Sequence, residues 1–365
     1  MIITRFHNME RLQLTVEFLT PTFLGGADQN AELRAAPFKN LLRQWWRVVV
    51  GSRYDDPAKM LAAEGELFGS VLGDSKASAK ASASQVRLTM TQEKGFSFSK
   101  ELPKFEKTWH PEVKDKKTGK NGRNVNNELY LGFGPITLQT IRKYIAPGSK
   151  ATLTVTFPKA YEETLRSTLD YIDAFGAIGS RCRNGWGSLA LSGKEFQRQE
   201  PTAFAADDIS RIFNTDKRYP FTLGKDSKGI LCWENNTHPQ TWDKAINLLA
   251  ATYMTLRTSI NIAQQGLQKR HIMGYPVTNH SIDDWESKEK NGRIRRDGRM
   301  PSQLRLMVKR DRNDQLLARI LHLPHKLPKQ WTLHQTELDV WREIHRWLDD
   351  PSNKNNTFHR CGGAQ

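Results

Sequence analysis

Four glycines, two arginines and a tryptophan crowd into the stretch Phe175-Gly176-Ala177-Ile178-Gly179-Ser180-Arg181-Cys182-Arg183-Asn184-Gly185-Trp186-Gly187-Ser188-Leu189. It lies between a helical pattern and a short apolar strand pattern. Glycine admits positive φ and lets another backbone come close. Successive free N–H groups in such a loop form an anion-binding concavity, and arginine adds a planar fork that grips phosphate at two points. Gly176, Gly179, Ser180, Arg181 and Arg183 are therefore candidate contacts for a phosphodiester backbone. A Walker-type nucleotide site is excluded, because the required Gly-Lys-Ser/Thr ending is missing and these glycines follow a helix instead of opening one.

A second basic surface is expected on the helix at Phe38 to Val50. Phe38, Leu41, Leu42, Trp45 and Val49 form its apolar stripe, and Lys39, Arg43 and Arg47 lie opposite, with Trp46 at the margin and Arg34 just upstream. No acid interrupts that face, whereas a solvated helix usually mixes signs for i,i+4 pairing. Unbalanced cations beside an aromatic suit phosphate and base contact. Hydrolytic chemistry is harder to place. His7, His110, His271 and His280 lie in separate segments without ligand spacing or a local acid partner. Asp28 and Glu32 follow Gly25-Gly26 and read as loop acids, and Asp283-Asp284 as a helix cap. Neither a metal site nor a cofactor site is expected, and no catalytic triad can be nominated.

Positioning such loops takes a framework, and the first half reads as βαββαβ. Leu12 to Phe18 alternates as a strand with one buried face; Val86 to Met90, Ala151 to Phe157 and Ser188 to Leu191 are further strands. A helix over Tyr161 to Ala174 buries Leu165, Leu169 and Ile172. Ser75 to Ser84 is a low-complexity linker. Residues 92–147 form an insertion too long for an ordinary loop, read as a hairpin or thumb carrying Lys114, Lys116, Lys117, Lys120 and Arg123. Polar, acidic composition from Glu200 to Asp216 marks a boundary. Beyond it come a helix at Thr241 to Ile260, a basic run through Arg295 and Arg296, strands at Gln303 to Arg310 and Leu316 to Leu323, and a helix at Leu333 to Leu348 with Trp341 and Trp347 on its edge. The domains are therefore expected at 1–200 and 201–350, with 351–365 frayed, and the second half reads as a degenerate repeat of the first.

Composition agrees with a polyanion partner. Lys+Arg number 55 against 39 Asp+Glu, a net charge of +16 over 365 residues, which steers toward nucleic acid with strong salt dependence. The cysteines, Cys182, Cys232 and Cys361, form no ligand or redox spacing and imply a reduced, cytoplasmic setting. The absence of a signal-like start and of long apolar runs argues against a membrane.

The segments Thr20-Pro21-Thr22-Phe23-Leu24-Gly25-Gly26-Ala27-Asp28 and Glu32-Leu33-Arg34-Ala35-Ala36-Pro37-Phe38-Lys39-Asn40-Leu41-Leu42-Arg43-Gln44-Trp45-Trp46-Arg47 resemble the opening of the RAMP-superfamily proteins of CRISPR systems. Arg181-Cys182-Arg183-Asn184-Gly185-Trp186-Gly187-Ser188 matches the glycine loop late in that family's first domain, and Arg295-Arg296-Asp297-Gly298-Arg299-Met300-Pro301-Ser302 resembles its basic turn in the second. The first subunit of type III-B Cmr effector complexes is the most similar pattern. The resemblance implies an α+β fold of two ferredoxin-like (RRM-like) domains with long inserted loops. It also implies contact with guide and target RNA at the guide's 3′ end, other Cmr-type subunits as partners, and cutting carried by other subunits. Asp28 is near the aspartate that slicing members use, but its surroundings depart from theirs; an RNA endonuclease of the same superfamily is the alternative.

Overall fold

The computed structural model describes residues 8–26, 28, 30–54, 56–70, 81–194, 196–214, 222–235, 237–260, 269–274, 286–288, 294–296, 300–327, 336–354 and 356–362. In the first half β1 (Met9–Phe18), α1 (Ala35–Val50), α2 (Pro57–Phe68) and β2 (Arg87–Gln92) precede an inserted hairpin, β3 (Lys107–Lys114) and β4 (Asn121–Asn126), with α3 (Asn127–Gly132). Then follow β5 (Lys150–Pro158), α4 (Glu162–Phe175) and β6 (Leu189–Ser192). The four main strands pair antiparallel in the order β2-β5-β1-β6. Counted without the insertion, that is second, third, first, fourth: the ferredoxin-like arrangement.

Alternation explains the pairing. Leu14 faces Leu153 and Val16 faces Ala151 across β1 and β5, and all four are buried. The same face receives α1 and α4, whose stripes meet where Trp45 stacks on Phe175 at 5.9 Å. The helix α2 starts on Asp56, whose carboxylate accepts from the Ala58 N–H at 2.9 Å, with Pro57 at the first position. It then covers the second flank of α1.

The second half repeats the order. β7 (Cys232–Asn235), α5 (Trp242–Ser259), β8 (Leu304–Arg310), β9 (Leu316–His322), α6 (Glu337–Asp349) and β10 (Phe358–Arg360) build a sheet β8-β9-β7-β10, again antiparallel. The repeat read from the sequence is therefore present as topology. Phe358–Arg360, expected to fray, is the fourth strand; Phe358 and Cys361 are buried, and Arg360 pairs with Asp226 and Asp349. Trp341 is wholly buried, so the aromatic edge expected on α6 is core. The linker expected at Ser75 to Ser84 falls largely outside the described residues. Among the described residues, no helix is long and apolar enough to cross a membrane.

Two features lock the halves together. Helix α4 ends with carbonyls that its own turn cannot satisfy, and cations from the second sheet supply the donors. The Lys309 ammonium donates to Gly176 at 2.7 Å, Leu189 at 2.8 Å and Ile172 at 3.2 Å, and Arg319 Nη1 donates to the Ala174 carbonyl at 2.6 Å. Both side chains are buried, and Arg319 also bonds Glu234. The inserted hairpin is the other clamp. Its base lies on α5, where Asn247 Oδ1 accepts from Asn127 Nδ2 at 3.0 Å and from the Glu106 N–H at 3.2 Å. Arg270 holds Glu112 at 2.6 Å. The thumb expected at 92–147 is thus a hairpin, anchored at its base with a basic tip.

A polar knot is buried beneath α6. His322 Nδ1 lies 2.9 Å from His345 Nε2, its ring stacks on Trp341 at 3.8 Å, and its Nε2 lies 3.2 Å from Gln303 Oε1. Burial pushes His322 well below the usual histidine range and His345 down to about 3. The unfolded chain binds protons at both rings near pH 6.5, while the folded chain does not. Stability is expected to be level above about pH 7.5 and to fall by about 2 kcal/mol between pH 6.5 and 5.5 through this pair. Thermal melts across that range, compared with His345→Gln, check it: the variant should show a shallower acid slope.

Candidate nucleic-acid interface

The glycine loop between α4 and β6 is first a joint. Gly187 N–H donates to the Pro21 carbonyl at 3.1 Å and Ile178 N–H to Gly187 at 2.8 Å. Gly185 N–H donates to Leu306 at 2.9 Å, and Leu306 N–H returns to Arg183 at 2.8 Å, so the loop pairs with the edge of β8. The Ser188 hydroxyl accepts from Val308 N–H at 3.0 Å. Glycines are required here because protein backbone comes close. A Cβ at Gly179 (φ +91°) would meet the Phe23 carbonyl oxygen at 2.8 Å, and one at Gly176 would meet the Ile172 oxygen at 2.5 Å.

This corrects part of the expected cradle. Gly176 N–H closes α4 onto Ile172 at 2.7 Å, and Ser180 N–H donates to Phe23 at 3.0 Å; neither amide faces a ligand. Trp186 is fully buried among Phe23, Phe105 and Trp242. The tip of the loop is different. Backbone N–H groups of Gly179, Cys182 and Arg183 meet no acceptor among the described residues. Arg181 sits there exposed at φ +61°, a conformation few non-glycine residues adopt.

Arg183 points into the seam. Its half-buried guanidinium has no acceptor among the described residues, and burial lowers its proton affinity. Beside it, burial and the Arg183 charge push Arg305 down to about 10. The Arg305 guanidinium lies over the Trp45 ring, 5.5 Å from its centroid, so α1, the glycine loop and β8 converge at this arginine pair. His325, at the end of β9, is lowered by burial and by both arginines. Adjacent cations held partly out of water in this way favour an anion between them. Arg305 was overlooked in the sequence because its strand reads as core alternation, Leu304 and Leu306 pointing in on either side.

The loop Phe23 to Arg34 lies against the same joint through the Phe23–Ser180 bond. It closes on itself as Gly26 N–H donates to Asn30 and Arg34 Nη2 to the Gly25 carbonyl at 2.7 Å. Asp28 is exposed on it. The basic face of α1 is more heavily neutralised than its sequence suggests. Glu64 of α2 is fully buried between Arg43, at 2.6 Å, and Arg47, whose Nη2 is 2.8 Å away. One carboxylate therefore offsets one of two positive charges, and each arginine keeps about a third of its side chain exposed. Lys39 remains on the outer face, its proton affinity lowered by partial burial and by Arg43. Trp46 is buried edge-on against Phe68 at 6.0 Å and cannot stack on a base, because α2 covers the margin of α1 where it was placed. Arg295 and Arg296 lie on a short strand, Ile294–Arg296, paired with Glu286–Lys288; residues 297–299 lie outside the described residues, as do His7, His280, Asp283 and Asp284. Among the described residues no cluster of His, Cys, Asp and Glu could hold a metal ion.

Residues 15–190, the span from β1 to β6 that ends in this joint, match the RAMP superfamily in sequence. The chain carries a RAMP-superfamily domain. The α+β fold inferred from its motifs is the observed one. Solved structures that match the chain include Cmr1 from Pyrococcus furiosus in its apo form, 16% identical, with 90% of this chain and 92% of that chain covered and a TM-score of 0.49. A chain of the type III-B Cmr-beta complex bound to cognate target RNA is 12% identical over 92% of this chain and 99% of that one, with a TM-score of 0.46. A chain of a type IV-B CRISPR complex is matched in full by 57% of this chain, at 12% identity and a TM-score of 0.30. No curated protein matches the chain in sequence. The RAMP domain contributes Arg181 and Arg183 to the seam, and the repeat beyond it contributes Arg305 and His325.

Proposed function

We propose that this chain is a non-catalytic, RNA-binding subunit of a type III-B CRISPR ribonucleoprotein that contacts guide and target RNA at the guide's 3′ end. The observation that carries the reading is the half-buried Arg183 guanidinium, without a protein acceptor among the described residues, next to the open amides at the loop tip. A phosphodiester supplies the acceptors such a site lacks. The RAMP domain and the net charge of +16 support it. So does the inserted hairpin, where Trp109 is exposed and lies across Gly122 among lysines. Base pairing with the guide, not this chain, would read the sequence.

Replacing both Arg181 and Arg183 with glutamate is expected to weaken binding of single-stranded RNA by about 100-fold at moderate salt, with the melting temperature preserved. Gel-shift titrations against salt measure this, and unchanged affinity overturns the proposal. The reading with cleavage has one observation in its favour: Asp28 is exposed on the loop bonded to Ser180. Incubation with labelled guide precursor and target RNA, with and without Mg²⁺, separates the two. Site-specific cleavage lost in Asp28→Ala establishes the enzyme reading.

A further inference from the structure

Large apolar side chains are rarely held in water by an ordered turn, yet the turn after α3 holds two. Phe133 is 62% exposed and Leu138 is 83% exposed. The backbone under them is tightly bonded. Ile136 N–H donates to Gly132 at 3.0 Å, Thr137 N–H to Thr140 at 2.9 Å and Arg142 N–H to Pro135 at 2.9 Å, while the Ile136 side chain is buried below. This platform is fixed to the glycine loop. Asn184 Nδ2 donates to the Leu131 carbonyl at 3.0 Å, and a Cβ on Gly134 (φ +115°) would lie 3.4 Å from Arg181 Nη2. An exposed ring thus stands one residue from the position where the Arg181 guanidinium reaches the turn.

We infer that Phe133 is a stacking platform for an unpaired nucleobase whose phosphate lies on Arg181. The inference rests on the RNA-binding reading and adds a strand state to it: the RNA crossing this turn is single-stranded, because a base can stack on an outside ring only when it is unpaired. A protein partner with an apolar knob is the other occupant a bare phenylalanine could have. Arg181, which reaches Gly134, and Arg142, whose N–H bonds Pro135 in the same turn, favour the polyanion.

The test uses the full chain, a single-stranded RNA oligonucleotide, the same sequence as a duplex, and an abasic version. Phe133→Ala is expected to weaken binding to the single strand about tenfold without changing the salt slope. Phe133→Trp should restore it, and neither variant should change binding to the abasic strand. Because Phe133 is exposed, both variants should fold, which circular dichroism checks. Unchanged affinity in Phe133→Ala, or an equal loss on the abasic strand, overturns the platform. If Arg181 and Arg183 reversal abolishes binding while Phe133→Ala does not, the platform fails and the RNA-binding reading stands. If the wild-type chain binds none of the RNAs, the reading itself has failed and the platform falls with it.

Discussion

Gly187→Ala is expected to destabilise the protein by at least about 4 kcal/mol, seen as a fall of about 10 °C in melting temperature or as loss of soluble protein. Two terms add. Gly187 has φ +68°, which a side chain rarely adopts. Its Cβ would also fall on the Ile178 carbonyl oxygen, well inside van der Waals contact, and 2.9 Å from the carbonyl carbon. That carbonyl belongs to backbone and cannot swing away, since the Ile178 N–H is bonded to Gly187 itself. Gly119→Ala is the control: its φ is +70°, but nothing lies within 4 Å of a Cβ there. Thermal melts should show a small loss at Gly119 and a large one at Gly187. Equal losses would mean that backbone conformation alone, not the close approach, sets the requirement.

Lys309→Ala is the second large effect, about 4 kcal/mol. It opens a cavity where a long buried side chain stood, and it leaves the carbonyls of Ile172, Gly176 and Leu189 without the donor that now reaches all three. Lys309→Met keeps most of the volume and removes only the donors, so a smaller loss of about 2 kcal/mol is expected. Denaturant unfolding of both variants measures the difference. A Lys309→Met protein as stable as the wild type would show that the ammonium contributes packing alone and no cap to α4.

Much of this architecture could be read from the chain. β1 and β5 alternate apolar and polar residues over seven or more positions, and α1 and α4 carry clear stripes, so the first βαββαβ unit was legible. The second was blurred because β7 and β10 are four and three residues long, too short for a period-two pattern to stand out. Phe358 is the one buried apolar residue of β10, which is why the end of the chain read as a tail. The glycine loop was located, but its main reason was misread. A glycine that lets phosphate approach and one that lets a neighbouring carbonyl approach look alike in sequence, and here Gly176, Gly179 and Gly187 serve carbonyls. Arg43 and Arg47 looked unopposed because their partner, Glu64, arrives from a different helix. Trp46 was placed at a margin that α2 closes. Arg181 is exposed at the loop tip, and Arg183 stands in the seam with its carbonyl bonded to Leu306, so their contact with RNA stays a proposal.

The joint also has a consequence for the order in which the molecule can be made. The loop around Arg183 completes its pairing only with Leu306, and the hairpin base at Asn127 settles only on Asn247, more than 100 residues later in each case. A ribosome therefore releases the whole first sheet while its seam still lacks the strand and the ammonium that close it. Contacts so far apart along the chain form slowly. During synthesis the Arg183 turn and the end of α4 lack these partners until residue 309 has emerged, and aggregation is most expected from chains arrested before that point.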